Sequence, residues 1–391
     1  MTLTMVQASE TGIAENLDTV ETPALALDVT KLDRNIARLR GHLASLGVAF
    51  RPHVKSGKSV AVARRLFPEG TGSITVSTLA EADYFAEAGF TDITYAVGLA
   101  PEKIERTREL VGRGINLSVL IDSPEQAYAL ARAAEDGGPN PAVLIEIDCD
   151  GHRGGLVPDD ATILAIADIV KQGGLELRGV LTHAGESYGA RGGAGLPEAA
   201  EAERAAAVAA AVMLRQAGHD SPVVSVGSTP TAHFARNLDG VTEVRAGVFM
   251  FFDLVMHGIG VCDLEDIALS VVATVIGHRA EKGWILIDAG WMALSRDRGT
   301  ERHPVDQGYG LVCDINGKPF DDLIVADASQ EHGTIKVRPG SAGVLPDLPL
   351  GTRVRILPNH ACATGAQHDA YRVVETGSRA IVATWPRMRG W

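Results

Sequence analysis

Apolar positions along the chain follow two alternating spacings. Short β-branched runs recur between about residues 24 and 250: ALALDV (24–29), AFRPHV (49–54), SITVST (73–78), DITYAV (92–97), NLSVLI (116–121), AVLIEID (142–148), LRGVLTH (177–183), PVVSVG (222–227) and EVRAGVFM (243–250). Each predicts a strand. The intervening segments carry the helical period. In DVTKLDRNIARLRGHLASLG the residues Leu32, Ile36, Leu39 and Leu43 share one face, and Gly47 supplies a C-terminal stop. STLAEADYFAEAGF and SPEQAYALARAAEDGG repeat the plan, each opening with a Ser or Thr capping signal, and residues 198–218 read as an Ala-rich helix.

Strand, helix and strand at this spacing are the βαβ signature, and about eight units spell a (β/α)8 TIM-type barrel, with a doubly wound open sheet as the lesser alternative. After about residue 265 the pattern becomes strands joined by Gly-rich turns with little helix, a mostly antiparallel β domain. The expected division is a flexible N-terminal tail over 1–19, a barrel over 20–265 and the β domain over 266–391. The strand near 20–29 fits either domain.

A length of 391 residues fits two domains. A net charge of −13 argues against a general nucleic-acid binder. No apolar run approaches the ~20 residues of a membrane span, and the polar start is no signal peptide. The cysteines, Cys149, Cys262, Cys313 and Cys362, form no CxxC pair, which fits a reduced cytoplasmic protein.

Barrel chemistry sits at the C-terminal ends of strands, so the residues just past each predicted strand carry the interest. RPHVK places Arg51, His53 and Lys55 on one face of an extended segment, and Lys58 falls in the following turn. A lysine becomes a nucleophilic amine when desolvation or a nearby cation loosens its proton; a solvated turn lysine is the plainer reading of this stretch by itself. EIDCDGHRGGL puts Arg153 in a Gly-rich loop, able to hold a ring nitrogen or carboxylate, or to pair with Asp148 or Asp150. LTHAGESYG sets His183 and Tyr188 after the next strand, where His183 could stack on a planar ring, relay protons or be hydrogen-bonded structure. In VVSVGSTPTA a late strand runs into Gly227, Ser228 and Thr229, a turn suited to a phosphate. LPNHACAT presents His360 and Cys362 two apart. On an extended segment both would point the same way as a pair suited to zinc, and the plainer reading is a buried cysteine beside a histidine.

Together, TPALALD, RPHVKSGKS, TVSTLAEADYF, HRGG, THAGESY, GSTPT, ASQEHG, PNHACAT and WPRMRGW resemble the D-serine dehydratase / D-threonine aldolase family, fold-type III pyridoxal phosphate enzymes related to alanine racemase. The resemblance spans about residue 20 to the C-terminus and lies closest to the zinc-dependent dehydratase branch. It implies that Lys55 carries the cofactor, with His53, His183 and Tyr188 around it. Gly227, Ser228 and Thr229 would hold its phosphate, and Arg153 would face its pyridine nitrogen. His360 and Cys362 would bind a divalent metal: zinc, or else manganese or magnesium. It implies a homodimeric lyase that eliminates water from D-serine, D-threonine or 3-hydroxy-D-aspartate to give a 2-oxo acid and ammonia. The alternatives are aldolase cleavage to glycine and an aldehyde, racemisation, and a non-catalytic cofactor carrier. Gly57 and Phe249 depart from residues frequent in the family, histidine and tyrosine respectively, and put the substrate in question.

Overall fold

The structure is a computed structural model and describes residues 15–190, 193 and 195–391. It contains two sheets. The first strand, β1 (Ala24–Asp28), is followed by α1 (Val29–Ser45), β2 (Ala49–Phe50), α2 (Val60–Arg65), β3 (Ile74–Val76), α3 (Leu79–Glu87), β4 (Asp92–Gly98) and α4 (Ile104–Gly112). Then come β5 (Asn116–Ile121), α5 (Pro124–Ala134), β6 (Ala142–Ile147), α6 (Thr162–Gln172), β7 (Leu177–Thr182), α7 (Leu196–Gln216), β8 (Val223–Val226), α8 (Thr229–Phe234), β9 (Glu243–Val244) and α9 (Leu254–Gly258).

Strands β2 to β9 form an eight-stranded parallel sheet in the order β2-β9-β8-β7-β6-β5-β4-β3. The two edges meet through a parallel bridge between His53 and Thr75, so the sheet curls into a barrel whose seam lies beside Lys55. The helices cover it through their apolar faces. In α1 the residues Leu32, Ile36, Leu39 and Leu43 are buried as the period predicts, Asp28 caps the N-terminus, and Gly47 follows at φ +69°. Ser123 and Gln126 form the capping box of α5.

The remaining strands, β10 (Leu269–Arg279), β11 (Trp284–Ile287), β12 (Leu311–Asp314), β13 (Pro319–Ala328), β14 (Gly333–Val337), β15 (Arg353–Leu357), β16 (Ala370–Val374) and β17 (Ala383–Pro386), join β1 in a nine-stranded sheet. Two short helices, α10 (Trp291–Leu294) and α11 (Ala361–Gly365), interrupt it. β1 pairs antiparallel with β10 and parallel with β16, so the strand that fitted either domain lies in this sheet.

Several expectations are corrected. Residues 15–19, read as part of a flexible tail, are anchored: Leu17 is buried against Val20, Ala24, Ala26, Val272 and Val374, and Asn16 bridges to Ala380. Residues 1–14 of that tail lie outside the described residues. The strand expected over 243–250 stops at Val244, and Val248–Met250 form a 3-10 turn. Phe249, Met250, Phe251 and Phe252 are all buried, so this run lacks the alternation that separates a half-buried strand from a buried turn. Among the described residues no helix is long and apolar enough to cross a membrane.

Candidate active site

The barrel floor is charged but internally neutralised. Arg51, which the alternation of RPHVK placed beside Lys55, donates to Glu243 at 2.7 Å and Asp92 at 2.9 Å. Ser225 donates to Glu243 at 2.7 Å, and the buried Arg245 donates to Ser225 at 2.8 Å and to the Thr182 carbonyl at 2.6 Å. Arg51 therefore needs no ligand to be stable in the barrel.

Above this layer a cavity of about 340 Å³ is lined by His53, Lys55, Arg153, His183, Tyr188, Gly227, Ser228, Thr229, His360 and Cys362. These are the residues singled out from the sequence, drawn from five separate stretches of chain. Ser56, Ser77 and Arg245 line it as well.

Lys55 occupies a turn after the seam, closed by Lys58 N–H donating to the Val54 carbonyl at 2.8 Å. The open cavity lets water reach its side chain while protein surrounds its flanks. That burial, together with Arg153 and Arg245, lowers its pKa from the ordinary lysine value, opposed in part by Cys362 and Glu81. Lys58 is no ordinary surface lysine: its ammonium lies 3.0 Å from the fully buried carboxylate of Glu81.

His183 Nδ1–H donates to the Gly227 carbonyl at 2.9 Å, which leaves Nε2 without a proton. Burial pushes its pKa down to about 3, so the ring is a neutral, oriented wall near neutral pH. Burial and the neighbouring Lys55 likewise hold His53 well below the usual histidine range. Tyr188 packs 6.1 Å from the His183 ring, and its hydroxyl receives the Thr229 N–H at 3.5 Å.

Gly227 sits at φ +146°, and a Cβ there would meet the Arg245 carbonyl oxygen at 1.9 Å, so only glycine fits. The turn is held from behind by Glu203, which accepts from Gly227 N–H at 2.8 Å, Ala184 N–H at 3.0 Å and Thr231 Oγ1–H at 2.7 Å. Sequence reasoning missed Glu203, treating α7 as Ala-rich packing. The signal was its helical spacing with Ala200, Ala207 and Ala210, all buried. Arg153 is exposed and its ion pair is with Glu146 at 3.8 Å, where Asp148 and Asp150 had been the candidates. Those two instead accept from loop main chain.

His360 and Cys362 do not lie on one extended segment. His360 is extended and stands at the N-cap position of α11, while Cys362 is helical, yet both side chains line the same cavity. His360 Nδ1–H donates to Asp297 at 2.6 Å across 63 residues, which turns Nε2 towards the cavity. Burial pushes the Cys362 thiol up, but His360 and Ser56, the latter 3.0 Å from Sγ, bring it below the ordinary thiol range. This donor set, one imidazole nitrogen and one thiolate sulfur, suits a borderline cation such as zinc and leaves coordination positions open.

Neither departing residue reads the cavity. Phe249 is fully buried and packs edge-on to Phe50 at 5.4 Å. Gly57 is packed beneath the turn, where a Cβ would lie 3.1 Å from Val62 Cγ1.

An alanine racemase N-terminal domain matches residues 27–255, and a serine dehydratase domain matches residues 268–374. The chain is 52% identical over 380 residues to a D-threo-3-hydroxyaspartate dehydratase of Delftia sp. (strain HT23), covering 96% of this chain and 100% of that one. A solved structure of a cysteine-to-alanine mutant of a D-threo-3-hydroxyaspartate dehydratase, in the metal-free form, superposes with a TM-score of 0.93 at 51% identity, covering 96% of this chain and 100% of that chain. A D-serine dehydratase of Dictyostelium discoideum is 29% identical over 388 residues, covering 94% and 96% of the two chains. With both domains matched and this identity over nearly its whole length, the chain belongs to the D-serine dehydratase / D-threonine aldolase family of alanine racemase-like, pyridoxal phosphate-dependent enzymes.

Proposed function

We propose that this protein is a lyase that uses pyridoxal phosphate and a divalent metal, zinc by its donor set, to eliminate water from D-3-hydroxy amino acids. 3-Hydroxy-D-aspartate leads D-threonine and D-serine as substrate, since the relative with the highest identity named above is a D-threo-3-hydroxyaspartate dehydratase. The observation that carries the reading is that the Lys55 amine, the Gly227–Ser228–Thr229 turn and the His360–Cys362 pair line one cavity.

The residues fit both groups. Lys55, with its lowered pKa, is an amine able to hold the cofactor's aldehyde carbon, and the turn with Tyr188 offers hydroxyls to its phosphate. His183 would wall the ring, and Arg153 or Arg245, which line the same cavity, would face its nitrogen. The bound cofactor supplies an electron sink for carbanion chemistry, and a metal supplies Lewis acidity for a departing hydroxide. Set free once the substrate amine takes its place on the cofactor, Lys55 Nζ would take the proton from the substrate α-carbon. The β-hydroxyl, oriented towards Nε2 of His360 and Sγ of Cys362, leaves Cβ as hydroxide. Loss of water and later hydrolysis give a 2-oxo acid and ammonia. The neutral His183 keeps its place throughout and adds no competing acid.

The same reading takes the protein as a cytoplasmic homodimer, supported by the family resemblance and by cysteines that are all free. Its test is product analysis with 3-hydroxy-D-aspartate, D-threonine and D-serine, with and without chelator. The expected products are 2-oxo acid and ammonia, lost on chelation and restored by zinc. Glycine and an aldehyde from all three would establish the aldolase outcome instead.

A further inference from the structure

Gly57, two residues beyond Lys55, has a carbonyl that receives the Tyr371 hydroxyl at 2.8 Å and Arg387 Nε–H at 3.3 Å. Arg387 comes from the C-terminal stretch WPRMRGW and is 6% exposed. Its Nε–H also donates to the Tyr371 hydroxyl at 2.8 Å, and its guanidinium lies 5.3 Å from that ring centre. Its Nη1 donates to the carbonyls of Gly365, the last residue of α11, and of His368, the latter at 3.0 Å. The neighbouring main chain repeats the bridge: Met388 N–H donates to the Lys58 carbonyl at 2.6 Å, and Arg387 N–H to the Asp369 carbonyl at 2.7 Å.

One buried cation thus reaches both halves of the site. Its Nε edge holds the turn that carries Lys55, and its Nη edge holds the end of the helix that carries Cys362. A planar fork with fixed donor directions can serve acceptors on opposite sides, whereas a lysine ammonium is a point donor on a flexible stem. Gly365 makes room for it: a Cβ there would lie 3.2 Å from Arg387 Nη2.

We propose that Arg387, with Tyr371, is a positioning residue that fixes the Lys55 turn against the His360–Cys362 helix, so that cofactor amine and metal donors keep one geometry. The inference rests on the functional reading above.

The test uses the full chain loaded with pyridoxal phosphate and zinc, as wild type, Arg387→Lys and Tyr371→Phe. Zinc affinity is measured by chelator competition and cofactor affinity by visible absorbance. Cobalt(II) in place of zinc reports the Cys362–metal geometry through its sulfur-to-metal charge-transfer band, which a change in global stability does not move. Arg387→Lys is expected to lose about tenfold to hundredfold in zinc affinity, with weaker cofactor retention and an altered cobalt band. Tyr371→Phe shifts the same readouts less. A folded Arg387→Lys with an unchanged cobalt band and both affinities within about twofold of wild type overturns the proposal. If that variant does not fold, the same result from Tyr371→Phe overturns it. Wild type that binds no zinc overturns the functional reading itself, and the positioning role with it.

Discussion

The ammonium of Lys58 lies 3.0 Å from Oε1 of the fully buried Glu81, without hydrogen-bond alignment, while Oε2 of Glu81 accepts from Ser77 N–H at 2.7 Å just ahead of α3. Lys58 also holds φ at +44°, in the left-handed region. The second lysine of the motif is therefore committed to structure, which separates it from Lys55 three residues earlier. Lys58→Met strands the Glu81 carboxylate and is expected to destabilise the fold by about 2–3 kcal/mol in urea unfolding, below the cost of a wholly buried pair because Lys58 is partly exposed. Adding Glu81→Gln should recover part of that loss.

Glu203 is the shared acceptor behind the Gly227 turn. Glu203→Gln keeps the volume but replaces one carboxylate oxygen with a donor, so one of its three partners loses its acceptor. Cofactor affinity should fall about tenfold, roughly one hydrogen bond to a charged group, measured by absorbance after equilibrium dialysis. Unchanged cofactor affinity would show that the turn does not depend on Glu203.

Asp297 fixes the His360 tautomer from 63 residues away. Asp297→Asn keeps an acceptor but removes the charge, and metal affinity is expected to drop roughly 10–100-fold in chelator competition. A variant with wild-type zinc affinity would remove that role.

His233 gives a pH dependence outside the site. Its Nδ1–H donates to the Thr229 carbonyl at 2.9 Å and its Nε2 is buried without a partner. Burial, with Arg38 and His42 nearby and Asp266 opposing, lowers its pKa to about 4. A histidine held neutral contributes stability above its unfolded pKa of about 6.5 and loses it as pH falls towards the folded value. Relative to His233→Gln, the wild type should lose about 3 kcal/mol between pH 6.5 and pH 4, read from denaturant midpoints. A difference that stays flat across that range would refute the assignment.

The alternation of strand and helix was legible because each barrel element carries its own period. In α1, for example, four leucine and isoleucine positions and a capping aspartate state both the face and the start. The site residues past the strand ends were legible for the same reason, since the barrel dictates where chemistry sits. What the sequence hid was every contact that links distant stretches. Asp297 with His360, Glu203 with Gly227, and Arg387 with Gly57 leave no local pattern. Arg51 is paired with Asp92 and Glu243, which come from other strands, so its neutralisation left no local pattern either. The pairing of His360 and Cys362 was anticipated for an extended chain, and it occurs through a helix start instead.

Borohydride reduction of the cofactor-loaded protein, followed by peptide mapping, addresses the assignment on which the site is built. The label should fall on Lys55, in the peptide containing RPHVKSGK, and Lys55→Ala should take up no label while Lys58→Met labels normally. Label on Lys58, or undiminished labelling of Lys55→Ala, would contradict the site as described.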